Sequence, residues 1–537
     1  MSTITQLLCN KFGGIRERNA VFNDEMITAC DMQNIELYYT GINSGIGIRT
    51  TKGNISIDNS LVGNKRIINI WESNQAQKKY FFVYAIDNTE GVFYNYNRET
   101  HTLEVLKSGL TPSKNSNGFD LTQGWSDLFF FTNGSEMFTI EMNKTGGALP
   151  YVDIVDMHPR DTQGRTVLGL NACLFDNRLW IFSNNIAWYS VQANIYDFAT
   201  HDGSITTSAG YIELLKNVTA VHEYLGSLAV FFADSSLLIQ VNNGTFSVGD
   251  TSPAGCAGYD ALVFHDTNLY FYDDTKKSVF SFQQVVTGEK TLGQNIAVDV
   301  QNILLKMDSL RLDDIHSKSI FMEGRNEIWW ILPTDETYTV DEKRINEETG
   351  EEYIVKITKE ASIILIYDYL KGEWTKRKSQ KINAVNIIDE TLYSAGNDGN
   401  IFEEYNSDTF NGDFIERYYN CTPVNLGADN TLKVLAFPPR VSFDMPYNNQ
   451  FWVEYRKNYN TFKKRKRKFI KSKLKNFMYW DIDNWDEKYW SSMNTNAIGK
   501  FPNATFKTLE IFIKSEKATE TFSIKNIEFS KIKVKQV

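Results

Sequence analysis

The stretch Asp127-Leu-Phe-Phe-Phe-Thr-Asn-Gly-Ser-Glu-Met-Phe-Thr-Ile140 places two short apolar runs on either side of an Asn-Gly-Ser turn. Aromatic and β-branched residues favour pleated, half-buried strands, and a turn of this composition between two such runs is typical of a β-hairpin. The arrangement recurs along the chain. Further copies begin at Lys79, Asn177, Gly226, Thr267 and Glu390, and a split copy joins the runs 326–333 and 363–369.

The copies lie roughly 40 to 60 residues apart, which is about the size of a four-stranded propeller blade. Helical periodicity is nearly absent, and the one helical candidate runs from Gln294 to Arg311. The helices that a parallel sheet would need between its strands are therefore missing. We predict an all-β chain built on an irregular β-propeller of six or seven blades; the alternative is two packed sheets of a sandwich.

The pattern changes on both sides of the repeated region. We predict an N-terminal β segment over 1–66, the propeller over 67–407, and a small C-terminal antiparallel β-sandwich over 408–537. An acidic insertion near 334–358 splits one copy, and its core from Asp335 to Glu352 holds eight acidic and two basic residues. Such a composition predicts a solvated excursion from the propeller rim, in the form of a long hairpin.

Length and composition exclude several classes of protein. The 537 residues suffice for two to four domains. No apolar run is long enough for a membrane-spanning helix, and the N-terminus has no signal-peptide pattern, so we predict no membrane insertion. The five cysteines are scattered, which predicts free thiols rather than a disulfide framework.

The net charge of −10 is unevenly distributed. A basic arm over 456–475 holds 11 basic residues and no acidic one, which leaves 45 basic and 66 acidic residues, about −21, for the rest of the chain. Three roles are open for the arm: contact with another subunit or virion protein, binding of phosphates, or a solvated hairpin tip. The candidate contact residues are Lys463, Lys464, Arg465, Lys466, Arg467, Lys468, Lys471, Lys473 and Lys475.

Catalytic signatures are absent from the sequence. The six histidines have no metal-ligand spacing and are expected at the surface or in turns. No nucleophile elbow and no phosphate loop occur, and we predict no metal, no cofactor and no enzymatic activity. Acidic pairs such as Asp273-Asp274, Asp313-Asp314 and Glu403-Glu404 are most simply turn residues, although two carboxylates of a glycosidase can come from anywhere in a chain.

Three segments near the N-terminus carry a resemblance to a known group. They read Phe12-Gly-Gly-Ile-Arg-Glu-Arg-Asn19, Asp24-Glu-Met-Ile-Thr-Ala-Cys-Asp-Met-Gln-Asn-Ile-Glu-Leu37 and Gly45-Ile-Gly-Ile-Arg-Thr-Thr-Lys-Gly53. Their order resembles the opening of tail nozzle and tail-hub proteins of short-tailed bacteriophages, the tail tubular protein B and packaged-DNA stabilisation families. The matching positions are Gly13, Gly14, Arg16, Asn34 and Arg49. The segments 175–198 and 480–490 are similar to later parts of the same proteins.

The resemblance implies a structural virion protein in the phage tail, made in the host cytoplasm. It implies a hexameric ring below the portal and adaptor proteins, with the N-terminal segment as the platform contact and distal tail or fibre proteins as further partners. Double-stranded DNA would pass through without specific binding, and an acidic body is compatible with this because it repels phosphates. Two alternatives are a propeller glycosidase or depolymerase, and a receptor- or glycan-binding propeller at the tail tip.

Overall fold

The computed structural model shows a chain that is almost entirely β structure. It describes residues 3–535 apart from 10, 17–25, 41–44, 59–61, 76, 122–126, 145–150, 202–206, 243–244, 284–292, 323–324, 346–350, 424–431, 436–438, 445–449, 459–465, 472–493 and 498–506. In these parts of the chain, no helix is both long and apolar enough to cross a bilayer.

The first strands of the chain precede the repeated region. They are β1 (Thr3–Cys9), β2 (Lys11–Ile15), β3 (Met26–Gln33), β4 (Ile35–Tyr39), β5 (Ile46–Thr50) and β6 (Gly53–Asp58). β2 pairs in parallel with β3 and with β5, whereas β4 and β5 form an antiparallel pair.

Five four-stranded antiparallel blades follow, with the strands of each blade paired in chain order. Blades 1 and 2 contain β7 (Arg66–Gln75), β8 (Lys78–Ile86), β9 (Gly91–Asn97), β10 (Thr102–Leu110), β11 (Asn117–Leu121), β12 (Leu128–Thr132), β13 (Met137–Lys144) and β14 (Tyr151–Asp156). Blades 3 and 4 contain β15 (Asn171–Phe175), β16 (Arg178–Ser183), β17 (Ile186–Tyr189), β18 (Gly210–Glu213), β19 (Ala220–Tyr224), β20 (Ser227–Phe231), β21 (Ser236–Asn242) and β22 (Thr245–Ser252). Blade 5 contains β23 (Leu262–His265), β24 (Asn268–Asp273), β25 (Ser278–Gln283) and β26 (Gln294–Asn295).

Blades 6 and 7 complete the ring of blades. Their strands are β27 (His316–Met322), β28 (Arg325–Leu332), β29 (Thr337–Ile345), β30 (Glu352–Asp368), β31 (Glu373–Gln380), β32 (Ile382–Ile388), β33 (Thr391–Gly396) and β34 (Ile401–Ser407). Blade 6 has the order β27-β28-β30-β31, and β29 pairs with the first half of β30. Blade 7 takes its outer strand from β6, which lies within the predicted segment 1–66 and pairs with β34. The predicted all-β propeller is confirmed, and it has seven blades.

The last strands of the chain share a sheet with the first five. They are β35 (Arg417–Cys421), β36 (Leu432–Leu435), β37 (Arg440–Asp444), β38 (Gln450–Lys457), β39 (Lys466–Lys471), β40 (Asn494–Ala497), β41 (Leu509–Ser515) and β42 (Ser523–Lys535). With β1–β5 they form one curled 13-stranded sheet in the order β39-β38-β41-β35-β3-β2-β5-β42-β37-β40, with β1 and β36 paired to β42 and β4 to β5. The two ends of the chain therefore fold together.

The helical candidate of the sequence is realised only in part. Residues Gln294–Asn295 form the last strand of blade 5, and a single turn of α-helix, α1, spans Gln301–Leu304. Short 3-10 turns cover Val298–Val300 and Ser309–Asp314, and another covers Tyr259–Ala261. This connection leads from blade 5 to the inner strand of blade 6.

Aromatic side chains form much of the packing between blades. Between blades 1 and 2, the rings of Phe82 and Phe129 lie 4.9 Å apart, as do those of Phe93 and Phe131, and Trp71 stacks on Phe93. All five residues belong to one buried cluster. Burial of an apolar side chain of this size stabilises the fold by about 1.5–3 kcal/mol. The packing of aromatic rings between blades therefore accounts for much of the high aromatic content. The five cysteines are free thiols, as predicted.

Asparagine side chains tie neighbouring inner strands together. The Asn117 amide donates to the carbonyl of Ala172 at 3.0 Å, which joins blade 2 to blade 3. Asn383 and Asn386 donate to the carbonyls of Ile67 and Ile70, both at 2.9 Å, and join blade 7 to blade 1. Since buried amides need partners, these bonds fix the stagger of adjacent blades.

Candidate functional sites

The residues of the N-terminal motif meet at a joint between the curled sheet and the outer strand of blade 6. The amide of Gly14 donates to Glu373 Oε2 at 2.8 Å, and Arg16 Nη2 donates to Glu373 Oε1 at 2.8 Å. A Cβ on Gly14 would lie 2.1 Å from the carbonyl oxygen of Trp374, and one on Gly13 would lie 2.3 Å from Met26 Cε. Gly14 is therefore required by the close approach of the curled sheet to blade 6, whereas the contact at Gly13 is with the end of a flexible side chain of its own sheet.

Asn34 fixes the turn between β3 and β4 on the same strand of blade 6. Its φ of 54° lies in the left-handed region, which Asn tolerates better than other residues with a Cβ. Its backbone amide donates to the carbonyl of Lys376 at 2.9 Å, and its Oδ1 accepts from the amide of Lys378 at 2.9 Å. These two hydrogen bonds attach the β3–β4 turn to the backbone of β31 in the manner of a neighbouring strand.

Arg49 belongs to a chain of charges that reaches blades 6 and 7. It forms an ion pair with Glu36, which also accepts from Arg325 of blade 6 at 2.8 Å. Arg325 in turn lies over the ring of Tyr405, 3.4 Å from its centroid, and also contacts Glu327 at 3.2 Å. The structure thus places Gly14, Arg16 and Asn34 in direct contact with blade 6 and links Arg49 to it through Glu36.

Sequence reasoning missed the partners of the motif. Glu373, Trp374 and Arg325 lie more than 270 residues from the motif, and each sits in an ordinary alternating strand of blade 6. The one available signal is a charged residue at a position that the alternation of a strand predicts to be buried. Glu373 is such a residue, and it is 5% exposed.

The described part of the basic arm is an edge strand. β39, which includes Lys466, Arg467, Lys468 and Lys471, pairs with β38 and ends the strand order of the curled sheet. Lys463, Lys464, Arg465, Lys473 and Lys475 lie outside the described residues, as do the residues of the aromatic segment 480–490. The contact role of the arm stays a prediction.

A small cavity of about 150 Å³ lies on the propeller axis. Its lining residues Ser116, Leu170, Thr219, Asp260 and Asp313 each come shortly before the inner strand of a different blade. The hydroxyl of Ser116 is buried and has no hydrogen-bond partner among the described residues. A polar cavity of this volume suits water or a small ion, and it lies below the 300–1,000 Å³ of most ligand pockets.

Burial shifts the pKa of Asp260, which lines this cavity, and of two neighbouring groups, His316 and Lys318. Burial raises the pKa of Asp260 to about 8, although the neighbouring Lys318 ammonium opposes the rise. Burial also lowers the pKa of Lys318, and it lowers that of His316 to about 4. His316 is 6% exposed and lies in β27, so the expectation that every histidine is a surface or turn residue is wrong for this one.

We expect stability to depend on pH through Asp260. Between pH 3.8 and about 8 the folded chain holds a proton on Asp260 that the unfolded chain has lost, so this carboxyl makes the fold less stable as pH rises. His316 acts in the opposite direction between about 4 and 6.5, where only the unfolded chain is protonated. Between about pH 4 and 6.5 the two effects on stability oppose each other. From pH 6.5 to about 8 only Asp260 acts, and we expect the stability of the fold to fall.

The Asp260→Asn variant isolates this carboxyl. We expect the free energy of unfolding of the variant to rise relative to that of the unchanged protein from pH 4 to 8, by at most about 1.4 kcal/mol per pH unit. The difference between their melting temperatures should rise with it. Thermal unfolding of both across this range measures the gain, and a difference independent of pH would contradict the expectation.

The acidic pairs singled out in the sequence have structural partners. Asp273 accepts from the amides of Gly255 and Lys276, both at 3.1 Å, in the turn after β24. Asp314 contacts Arg66 at 2.8 Å and Arg311 at 2.9 Å, and Glu404 pairs with Arg377 in the core. Asp313 alone joins Asp260 at the axial cavity. No group of three or more potential metal-binding side chains occurs in the described ranges.

Comparisons with known proteins give only weak structural similarities. No protein-family model matches the chain, and no curated protein matches it. Among solved structures, the computationally designed Ika8 protein covers 66% of this chain with 99% of its own, at 11% identity and a TM-score of 0.33. A protein from Lactobacillus plantarum covers 60% with 96% of its own, at 12% identity and a TM-score of 0.31. At these values the likenesses support no statement about function.

Proposed function

We propose that this chain is a structural protein of the tail of a short-tailed bacteriophage, where copies form a hexameric ring below the portal and adaptor proteins. The observation that carries the proposal is the joint on blade 6. Of the five residues that resemble the tail nozzle proteins, Gly14, Arg16 and Asn34 bond directly to blade 6, and Arg49 is linked to it through Glu36. A motif that is used for rigid assembly fits a wall protein better than an enzyme.

The charge distribution supports the same proposal. A wall past which DNA slides must not hold phosphates, and a body of about −21 outside the basic arm repels them. The axial cavity does not favour the glycosidase alternative, because about 150 Å³ is too small for a sugar chain.

Electron microscopy of the purified full-length chain tests the proposal. We expect class averages with closed rings around a pore wide enough for double-stranded DNA, and co-sedimentation of the rings with the portal or adaptor of the same virus. We expect no retention of DNA by the rings at physiological salt. A protein that stays monomeric at every concentration and binds neither portal nor adaptor would refute the proposal.

A further inference from the structure

A second cavity, of about 260 Å³, lies between the β29–β30 pair of blade 6 and the adjoining part of blade 7, and we call it the blade 6–7 cavity. Its lining residues come from β29 and β30, from the junction of β31 and β32, from the turn between β33 and β34, from β34 itself, and from the segment 410–413. The volume lies just below the 300–1,000 Å³ of most ligand pockets. The cavity therefore suits a ligand of about one small ring, whereas a chain of rings would not fit.

Three aromatic residues line this cavity, and all three are buried: Tyr338, Phe402 and Phe410. The Tyr338 hydroxyl donates to Asp413 Oδ2 at 2.7 Å, and the Lys359 ammonium donates to the same oxygen at 2.9 Å. The carboxylate of Asp413 thus already has its partners within the protein. The aromatic rings supply the apolar lining that a bound ring would cover.

Lys381 brings a positive charge into the cavity. Its side chain is partly buried, and it forms no hydrogen bond or ion pair with another described residue. Burial lowers the pKa of Lys381, and the nearby charge of Arg311 lowers it further, whereas Asp314 and Glu360 act in the opposite direction. Asp314 is itself paired with Arg311 and Arg66. An anion that enters the cavity would therefore stabilise the charged form of Lys381.

Amide groups beside Lys381 are also open towards a ligand. Asn397 Oδ1 accepts from Asn383 at 2.7 Å, and Asn411 Oδ1 accepts from the amide of Ser56 at 3.2 Å. The Nδ2 groups of Asn397 and Asn411 have no acceptor in the described ranges, and the same ranges hold no donor for the buried Oε1 of Gln380. Two amide donors next to an ammonium suit a carboxylate and hydroxyl groups, and the Gln380 oxygen suits a further hydroxyl.

We propose that the blade 6–7 cavity binds one sugar acid ring, a hexuronate, with its carboxylate on Lys381 and its hydroxyl groups on Asn397, Asn411 and Gln380. A neutral sugar would leave Lys381 without a partner, and a phosphate ion would leave the aromatic rings uncovered. The same chemistry is offered by a free sugar acid and by the terminal residue of a polysaccharide. The site goes beyond the proposed function, because the cavity lies within a single copy of the chain.

Ligand titration of the full-length chain by saturation-transfer NMR tests the site. We expect a dissociation constant on the order of 1 mM for sodium glucuronate, since a ligand of this size makes few contacts. The constant for glucose should be at least about tenfold higher, because glucose has no charge to pair with Lys381. Lys381→Met should weaken glucuronate binding by about 10- to 100-fold and leave the constant for glucose unchanged.

Asn411→Asp tests the site through a second residue. The new carboxylate keeps the acceptor for the Ser56 amide and replaces the Nδ2 donor by a negative charge, so binding of glucuronate should weaken by about tenfold or more. Lys78→Met makes the same chemical change as Lys381→Met at an exposed position of blade 1 and should leave both constants unchanged. The melting temperatures of the three variants show whether they fold.

Three results would overturn the proposal: no binding of glucuronate, equal binding of glucuronate and glucose, or displacement of glucuronate by an equal concentration of inorganic phosphate. An unchanged constant for glucuronate in both Lys381→Met and Asn411→Asp would also overturn it. A glucuronate oligomer that binds more tightly than the monomer would support the site and assign it to the end of a polysaccharide, whereas equal binding would assign it to a free sugar acid. None of these results bears on ring formation, so the proposed function stands or falls separately.

Discussion

The Gly14→Val variant is expected to detach the curled sheet from blade 6. A Cβ at this position would lie 2.1 Å from the carbonyl oxygen and 2.8 Å from the nitrogen of Trp374, both of which are backbone atoms that no rotamer change can move. The shift would also break the bond from the Gly14 amide to Glu373. We expect a loss of about 3 kcal/mol, at the upper end of the cost of overpacking. The measurement is the melting temperature together with limited proteolysis of the curled sheet.

The control for this variant is Gly258→Ala. Gly258 has extended backbone with φ 178°, and no atom lies within 4 Å of a Cβ built on it. Its substitution should change stability by no more than about 0.5 kcal/mol. Equal stability of Gly14→Val and Gly258→Ala would mean that the joint does not need the close approach of the sheets.

The Glu404→Gln variant should have an effect of similar or larger size. Glu404 and Arg377 form an ion pair whose side chains are 0% and 1% exposed, between blades 6 and 7. Glu404 also accepts from Asn54 of β6 at 2.7 Å and from Ser394 at 2.6 Å. Removal of its charge leaves the Arg377 guanidinium buried without compensation, at a cost of about 3–5 kcal/mol. Thermal unfolding monitored by circular dichroism measures the loss.

Two further variants make this result specific. Asp234→Asn removes one partner of the exposed pair with Lys216, whose side chains are 56% and 49% exposed, and should cost at most about 1 kcal/mol. The double variant Arg377→Met, Glu404→Gln removes both buried charges and should lose less than Glu404→Gln alone. A double variant that is less stable than the single one would show that Arg377 stabilises the fold through contacts other than the pair, such as its bond to the carbonyl of Lys52.

The repeated hairpins could be predicted from sequence because their signal is local. Residues 127–140 place two short apolar runs on either side of a turn, and they form β12 and β13 of blade 2 as expected. The acidic composition of the insertion likewise predicted its solvated hairpin. Binary patterning over ten to fifteen residues is sufficient for such elements.

The pairing of distant strands left no such signal. Nothing in Gly53–Asp58 distinguishes an outer strand of blade 7 from a strand of the N-terminal segment, because its partner β34 begins at Ile401. The same holds for β3 and β35, whose residues Ala29 and Cys421 face each other across the sheet. The motif glycines were recognisable by resemblance, but the reason for Gly14, the backbone of Trp374, is a contact across about 360 residues.

The closure of the propeller by β6 has a consequence for synthesis in the cell. The outer strand of blade 7 leaves the ribosome before blade 1, whereas its partner β34 follows about 350 residues later. At roughly 5–20 residues per second, β6 waits for about 20–70 s with its edges open. The strands β1–β5 remain without their C-terminal partners for longer still, until β35 and β42 have been synthesised. A nascent chain that ends before residue 401 therefore lacks the strand that pairs with β6, and its propeller is not closed. The unpaired strands of such chains are exposed to pairing with those of other nascent chains on the same messenger RNA.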